Sequence, residues 1–353
     1  MYGVECMDYN KENSRLQDCI RRIEDVAEAV VPLYRDMQEM IFAPVDSDKV
    51  LDIVQLWMAD GGRSAESGIA ATTFEKLVRA AEAKRNPTVN KILYWYDVEA
   101  WLNAVQDRLV STIWMLEEFY ASLQCKEKIS DELIDTAILS SGEDGRKCYL
   151  AANTIFINLA SVFDILTGIV SELEKFPKRD FTTYQKIKSQ KYNQNDHVLP
   201  EVKQPGMLYA KPELPIVRKI ETLRNEYVHS GPWDRSPSIF LPRDAERQPM
   251  PAFMMMPDMT ETGTFVTVRN RNKFYSESKK LNEELIPMVE ETMDVVEKTL
   301  GGIRKVISAQ TVEGTDDMGT KETMEVLRVV AKESVEIIKK DWEKRQELKA
   351  KRK

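Results

Sequence analysis

The fold prediction starts from the stretch Lys147–Phe176, KCYLAANTIFINLASVFDILTGIVSELEKF. Its most apolar part, Ile155–Val170, is shorter than the ~20 residues that a helix needs to span a bilayer, and it carries Asn158 and Asp164. We therefore expect a buried helix at the centre of a soluble protein that has no contact with a membrane.

The composition around this stretch favours helices. The chain has 353 residues, and at roughly 150 residues per domain this length predicts about two domains. Gly and Pro are sparse, at 14 and 15 residues, which is unusual for an architecture of strands and turns. We predict an all-α protein with a helical N-terminal domain (1–140), a second helical bundle (146–310) and a C-terminal amphipathic basic helix (320–353).

One segment of the second bundle departs from the helical pattern. Between Trp233 and Asn272 the chain is rich in Pro and Met, and Thr264–Val268 alternates as a short strand does. We expect an irregular insertion with some β structure that lies outside the core.

The net charge of −8 disfavours a general nucleic-acid coat, because the field of the whole molecule repels polyanions. Any contact with RNA or DNA must then use a local basic patch. The first residues carry no apolar segment, so we expect a cytoplasmic protein without a secretory signal.

Cysteine and histidine usage predicts neither a metal site nor a cofactor. The four cysteines, Cys6, Cys19, Cys125 and Cys148, are far apart, and the chain has two histidines, so a zinc site has few ligands to draw on. The glycine-rich loops that hold nucleotides, the nucleophile elbow of hydrolases and the H-E-x-x-H zinc motif do not occur in the sequence.

The segment Leu223–Pro232, LRNEYVHSGP, carries the strongest functional signal. It ends a helix predicted from Leu214 to His229, which Gly231-Pro232 terminates. At 100° per residue, Asn225 and His229 project away from the apolar stripe, and Arg224 lies between the two faces with the reach to approach the imidazole. The stripe consists of Ile216, Ile220, Leu223 and Tyr227.

These three polar residues supply complementary chemistry. Arg224 offers an anion clamp, Asn225 a positioning hydrogen bond, and His229 a group that titrates near neutrality. They are the parts needed to cleave a phosphodiester without a metal. The alternative is structural: His229 caps the helix and Arg224 is a solvated charge. The negative end of the helix dipole favours the protonated form of His229, whereas the charge of Arg224 disfavours it. The sign of the net effect on protonation stays open.

The motif Arg224-Asn225-x-x-x-His229, at the end of a helix in an all-α region, resembles the HEPN superfamily, whose hallmark is R-x-x-x-x-H. The resemblance covers about half of the chain, from Lys147 to Ser308. It implies a helical bundle in which two protomers join their motifs into a composite, metal-independent ribonuclease site.

Carried over by position, Arg224 would stabilise charge on the scissile phosphate, His229 would move protons, and Asn225 would orient the phosphate or the partner motif. Some HEPN toxins have a Tyr two residues after the His, whereas this chain has Gly231 there, so regulation through that Tyr is not expected. Asn158 and Asp164 either line the site or form a buried polar pair.

The resemblance also implies partners: RNA, a second copy of the chain in a homodimer, and an antitoxin or regulatory protein in a defence or toxin system. The rival hypothesis is a catalytically silent helical scaffold that binds a nucleotide or a protein.

A basic stretch with interleaved aromatic residues is the predicted RNA path. Lys186, Lys188 and Lys191 would contact phosphates and Tyr184 would stack on a base, as single-stranded RNA requires. A solvated polar loop is the alternative. The stretch also contains Lys175, Lys178, Arg179, Phe176, Phe181 and Tyr192.

Two further features have structural explanations. Tyr94-Trp95-Tyr96, near Trp101, could stack bases, but its helical spacing beside apolar residues favours a place in the core. His197 has no motif around it and is predicted to be a loop residue.

Overall fold

The computed structural model of the chain describes residues 7–46, 87–124, 138–140 and 142–350, apart from 195–196, 235, 243, 247, 249, 277–278 and 315; it also describes residues 75, 78, 79, 82 and 83. The predicted all-α fold is confirmed, since helices dominate and the strands are two or three residues long. Cys6 and Cys125 lie outside the described residues.

The helices are long and separated by irregular chain. Their bounds are α1 Met7–Glu28, α2 Val31–Phe42, α3 Pro87–Leu123, α4 Glu143–Lys175, α5 Pro215–Asn225, α6 Leu281–Gln310 and α7 Asp317–Ala350. Three short strands, β1 Ile138–Ser140, β2 Ile239–Leu241 and β3 Phe253–Met254, form an antiparallel sheet in the order β1-β2-β3.

The predicted strand at Thr264–Val268 is wrong. Phe265 and Val268 make isolated bridges, and the paired strands lie earlier, at β2 and β3. The placement of the segment outside the core is also wrong, because Trp233, Ile239 and Met254 are buried. Proline and methionine content indicated irregular backbone correctly but carried no information about burial.

The chain folds into two compact units, each assembled from three stretches. Unit 1 comprises Met1–Val31, Asn103–Val170 and Gln190–Ile303, and unit 2 comprises Pro32–Leu102, Ser171–Ser189 and Arg304–Lys353. These limits differ from the sequential segments 1–140, 146–310 and 320–353, since α3, α4 and α6 each contribute residues to both units.

Unit 1 is built around α4. Ile155, Phe156 and Phe163 are fully buried, as expected for this apolar stretch. Two hydroxyl contacts link elements inside the unit: the Tyr120 hydroxyl donates to the Asn282 carbonyl at 2.7 Å, and the Thr167 and Tyr209 hydroxyls lie 2.7 Å apart.

The α4 helix, extended through Lys178, is long and apolar enough to cross a membrane by length and composition alone, and 67% of its most apolar window is buried inside the protein. Such burial is typical of the core helix of a soluble protein. The thiols of Cys19 and Cys148 are also buried, and burial is the main reason that the pKa of Cys19 is raised to about 12.

Unit 2 contains a buried ion pair that packs against an aromatic ring. Arg179 pairs with Glu172, and its guanidinium lies 4.2 Å from the centre of the Tyr94 ring. The Asn90 amide donates to the Phe181 carbonyl at 2.9 Å. These contacts tie the segment after α4 to the first turns of α3, so the predicted core position of Tyr94 and Trp95 is confirmed.

Candidate functional site

Helix α5 in unit 1 carries the Arg-Asn-His motif. Pro215 occupies the first turn, where its fixed φ suits a helix start. Ile216, Ile220 and Leu223 are buried as the stripe predicts. Arg224 and Asn225 close the helix with half-buried side chains.

His229 does not lie on a regular α-helix. The chain continues from α5 into a π turn, Glu226–Ser230, which corrects the predicted α-helix through His229. Hydrogen bonds from i to i+5 widen the turn, so Tyr227 and His229 leave the faces that 100° per residue assigns to them. Tyr227 is half-buried, whereas His229 is exposed.

The turn ends where the sequence predicts. Gly231 has φ +90°, a backbone conformation that residues with a Cβ rarely adopt. The Gly231-Pro232 pair therefore stops the helix through backbone geometry, two residues after His229.

The Arg224 guanidinium is held by Asp164 and Asn225. Its Nη2 donates to Asp164 Oδ2 at 3.2 Å, and its Nη1 donates to Asn225 Oδ1 at 2.6 Å. The side chains of Arg224 and Asp164 are 16% and 24% exposed. Two polar residues of α4 are predicted to line the site, and one of them, Asp164, contacts the motif. The guanidinium of Arg224 donates to Asp164 and Asn225 rather than to the imidazole of His229.

Asp164 is itself positioned by the irregular chain after α4. The backbone N–H of Tyr192 donates to Asp164 Oδ1 at 2.6 Å. The Tyr192 hydroxyl donates in turn to the Glu213 carboxylate or the Leu208 carbonyl, each at 3.2 Å. The carboxylate of Asp164, on α4, thus bonds to α5 and to the irregular chain between α4 and α5, which we call the connection.

Glu221, one turn before Arg224, is a site residue that the sequence reasoning missed. Its Oε1 is buried and has no hydrogen-bond partner among the described residues. Burial and the Asp164 charge raise its pKa, although Arg224, Lys191 and Asn225 act in the opposite direction. The spacing of three and four residues to Arg224 and Asn225 was the available signal.

The chain after His229 is anchored by aromatic residues. Trp233 is buried and its indole N–H donates to Asn153 Oδ1 at 2.8 Å. Tyr149 lies between Trp233 and Tyr227, with ring centroids 4.6 and 5.9 Å away. The segment predicted to be an insertion therefore supports the π turn.

The predicted RNA-binding residues are divided between the units. Lys186 and Lys188 belong to unit 2 and Lys191 to unit 1, and all three are exposed. Lys191 is close enough to Glu221 to lower its pKa.

The aromatic members of this stretch are less accessible than the lysines. Phe176 and Phe181 pack on Tyr94, with ring centroids 6.2 and 5.5 Å from it. Tyr184 is half-buried, and burial is the main reason that its pKa is raised to about 12.

Several further polar and basic residues have contacts other than Arg224, Asn225 and His229. His197 is a loop residue, as predicted, but it is buried with its ring 4.5 Å from that of Tyr209. Asn158 is buried and accepts from Arg108 at 3.4 Å. Lys273 pairs with Glu226 at 2.7 Å, while Arg269 and Arg271 are exposed.

Among the residues that the structure describes, no three His, Cys, Asp or Glu side chains are grouped as metal ligands. Comparisons with protein-family models, with curated proteins and with solved structures give no match to this chain.

Proposed function

We propose that the protein is a metal-independent endoribonuclease of the HEPN type that acts as a homodimer. One observation carries the proposal: Arg224 is oriented by Asp164 and Asn225, while His229 is exposed in the π turn that follows the same helix. Attack of a ribose 2′-hydroxyl on the adjacent phosphodiester requires an oriented guanidinium and an accessible imidazole.

The chemistry follows from these two groups. The ribose 2′-oxygen attacks the adjacent phosphorus while a neutral imidazole takes the 2′-hydroxyl proton. The P–O5′ bond breaks, and the leaving 5′-oxygen receives a proton from an imidazolium. The products are a 2′,3′-cyclic phosphate and a 5′-hydroxyl. One motif supplies one imidazole, so a symmetric pair of motifs completes the set.

Arg224 retains donors for the phosphate. A guanidinium has five N–H groups, and the bonds to Asp164 and Asn225 account for two of them. Negative charge that develops on the phosphate oxygens then meets a guanidinium whose N–H groups are already oriented.

RNA is the proposed substrate, guided by Lys186, Lys188, Lys191 and Tyr184. The proposal includes a cytoplasmic setting, an antitoxin or regulatory partner, and a role in defence or as a toxin. Exposure of the three lysines supports the phosphate contacts, whereas the half-burial of Tyr184 reduces the ring area that is open to stacking.

A second candidate function is a silent scaffold that binds RNA or a protein without cleaving it. The ion pair between Arg224 and Asp164 favours it, because a carboxylate at 3.2 Å neutralises the charge that would attract a phosphate.

Single-turnover cleavage of a random-sequence, single-stranded oligoribonucleotide separates the two candidates. We expect wild-type protein to cleave it, and His229→Ala and Arg224→Lys to lose at least ~100-fold in rate while still binding it. Arg218→Lys on the same helix is the matched control and keeps the wild-type rate. Binding without cleavage by the wild type would establish the scaffold, and wild-type rates in His229→Ala would refute the proposed mechanism.

A further inference from the structure

One face of α4 is apolar and is left uncovered by the rest of the protein. Residues 148–163 contain no acidic or basic side chain. Within this stretch Leu150 is 53% exposed, and Thr154, Ile157 and Ser161 are half-buried. These four residues are three or four positions apart and so share one side of the helix, which we call the outer face of α4.

The hydroxyl groups of the outer face do not add to its polarity. Thr154 Oγ1 donates to the Leu150 carbonyl at 2.8 Å, and Ser161 Oγ donates to the Ile157 carbonyl at 2.7 Å. Both hydroxyl donors are therefore used within the helix. The face suits close contact with another apolar surface better than contact with the phosphates of RNA.

Helix α3 shows how a water-facing side of unit 1 differs. Its exposed apolar residues Val110 and Trp114 lie among the exposed charges of Asp107, Glu117 and Glu118. Such mixing is typical of a solvated helix surface. The outer face of α4 has no such charges, which indicates that another surface covers it.

The outer face lies beside the Arg-Asn-His motif. At 100° per residue, Tyr149 and Asp164 lie on one flank of it and Asn158 on the other. Asp164 bonds to Arg224, and the Tyr149 ring packs on Tyr227 in the π turn. Asn158 accepts a hydrogen bond from α3. A molecule bound to the outer face would therefore reach the motif along one of its edges.

The outer face is complementary in size to a second copy of itself in the antiparallel direction. If the midpoint of the contact lies between Thr154 and Ile157, Leu150 of each copy is opposite Ser161 of the other, and Thr154 is opposite Ile157. A large side chain then meets a small one at every level, as close packing requires. A parallel pair would place Leu150 against Leu150.

Charge favours the same direction. Arg146 is exposed one turn before Leu150, and in the antiparallel pair it comes opposite Asp164 of the second copy. Opposite charges then meet at both ends of the contact. In a parallel pair Arg146 would face Arg146, and like charges would repel.

We propose that the outer face of α4 binds the outer face of a second copy of the chain, with the two helices antiparallel. The twofold axis of this pair runs across the helices, so the motifs of both copies lie on the same side of the helix pair. The contact itself does not depend on the ribonuclease function. Its role in bringing two His229 imidazoles into one site rests on that proposed function.

The first test measures the dissociation constant of the dimer by light scattering of the full-length protein over a concentration series. Ile157→Lys places a charge at the centre of the contact in both copies and should raise this constant at least ~30-fold. Val110→Lys, at an exposed apolar position of α3, is the matched control and should leave it within about twofold. Circular dichroism checks that the variants are folded.

The second test exchanges the sizes of two opposed residues. Leu150→Ser leaves a gap and Ser161→Leu adds bulk, so each should raise the dissociation constant by roughly tenfold or more. The double variant, Leu150→Ser with Ser161→Leu, should bind more tightly than either single variant. Within one chain the two positions are about 16 Å apart along the helix, so their effects on folding add, and compensation arises through the second copy.

The outcomes separate this interface from the proposed function. If the wild type dimerises as predicted and cleaves no RNA, the ribonuclease proposal fails and the interface stands. An active enzyme whose dimer is unchanged in Ile157→Lys would overturn the interface alone. If that variant does not fold, the double variant decides, and additive effects would overturn the inference. A wild type that stays monomeric, with oligoribonucleotide binding lost in Leu150→Ser, would assign the face to RNA instead.

Discussion

At the scale of single residues, Arg224 and His229 differ in how firmly the protein holds them. Arg224 is mostly buried and bonded to Asp164 and Asn225, whereas His229 is exposed. Both residues and Asn225 could be picked out from the sequence, because an Arg, an amide and a His share a helix end. The helical spacing of Glu221 to Arg224 and Asn225 was visible in the sequence, but its burial was not, since that burial depends on elements distant in sequence.

Substitution of the two motif residues should affect stability differently. His229→Ala should change the free energy of unfolding by no more than about 0.5 kcal/mol, because the side chain is exposed. Arg224→Ala should lower it by about 1–3 kcal/mol, because Asp164 loses a charged donor in a half-buried place. Urea denaturation measures both. Arg218→Ala, which breaks a more exposed pair with Glu213, should lose less than about 1 kcal/mol. Equal losses for Arg224→Ala and Arg218→Ala would contradict the account.

Glu221 gives the stability a pH dependence of defined sign. Because its pKa is raised in the folded state, its contribution is full below the ordinary carboxyl value and is lost as pH rises through the folded value. Glu221→Gln cannot ionise, so its free energy of unfolding relative to wild type should increase between about pH 5 and about pH 8. Urea denaturation at the two pH values tests this, with Glu284→Gln as the control. A relative stability that falls over the same interval would show that the sign is wrong.

At the scale of elements, the end of α5 combines what the sequence predicts with what it does not. The stop at Gly231-Pro232 is local backbone chemistry and was predictable. The π turn before it was not, because it accompanies packing of Tyr227 and Trp233 on Tyr149 of α4, which is a tertiary contact. The Pro- and Met-rich segment after it was misassigned for the same reason, since Trp233 is buried by contacts distant in sequence.

Three glycines should respond to alanine in three different ways. Gly231→Ala should cost about 1–2 kcal/mol through its φ of +90°, because nothing lies within 4 Å of the added Cβ. Gly301→Ala should stabilise α6 by about 0.5–1 kcal/mol, because the position is helical, exposed and open. Gly302→Ala should cost about 1–3 kcal/mol, because its Cβ would lie 2.5 Å from the Glu201 carbonyl oxygen. Thermal denaturation ranks them, and a destabilised Gly301→Ala would contradict the assigned geometry of α6.

The lysines of the connection should contribute affinity without contributing to bond cleavage. Replacing Lys186, Lys188 and Lys191 together by Gln should weaken RNA binding and flatten its dependence on log salt by about two, at roughly 0.7 per phosphate contact. Single-turnover rates should stay near the wild type. A triple replacement of the exposed lysines of α7, Lys339, Lys340 and Lys344, removes the same charge as a control. An unchanged dependence of RNA binding on log salt would show that the stretch is a solvated loop. The RNA path would then be sought at Arg269, Arg271 and Lys273.

At the scale of the whole molecule, the two units are not sequential halves. The part of α3 from Asn103 onward belongs to unit 1, where Tyr120 bonds Asn282 and the Cys148 thiol donates to the Phe119 carbonyl at 3.4 Å. A chain that began at Gly145 would lose these contacts. Any contribution of residues 1–140 to the chemistry is therefore better tested by substitutions than by truncation. Helical periodicity predicts elements well, but it does not determine which distant elements pack into one unit.

The proposed composite site predicts that the cleaving species is a dimer. Light scattering of the full-length protein under assay conditions should give twice the chain mass of 40.7 kDa. The reason is chemical, since attack and leaving-group protonation use two imidazoles and each motif has one. A monomer that cleaves RNA at the wild-type rate would exclude the composite site.

The chemical nature of the RNA ends is the decisive test of the proposed ribonuclease. Full-length protein is incubated with the oligoribonucleotide in excess EDTA, and the fragments are separated by mass. Fragments ending in a 2′,3′-cyclic phosphate and a 5′-hydroxyl are predicted, at an unchanged rate with EDTA, and they should disappear in His229→Ala. Loss of cleavage in EDTA that a divalent ion restores, or fragments with 3′-hydroxyl and 5′-phosphate ends, would contradict the account.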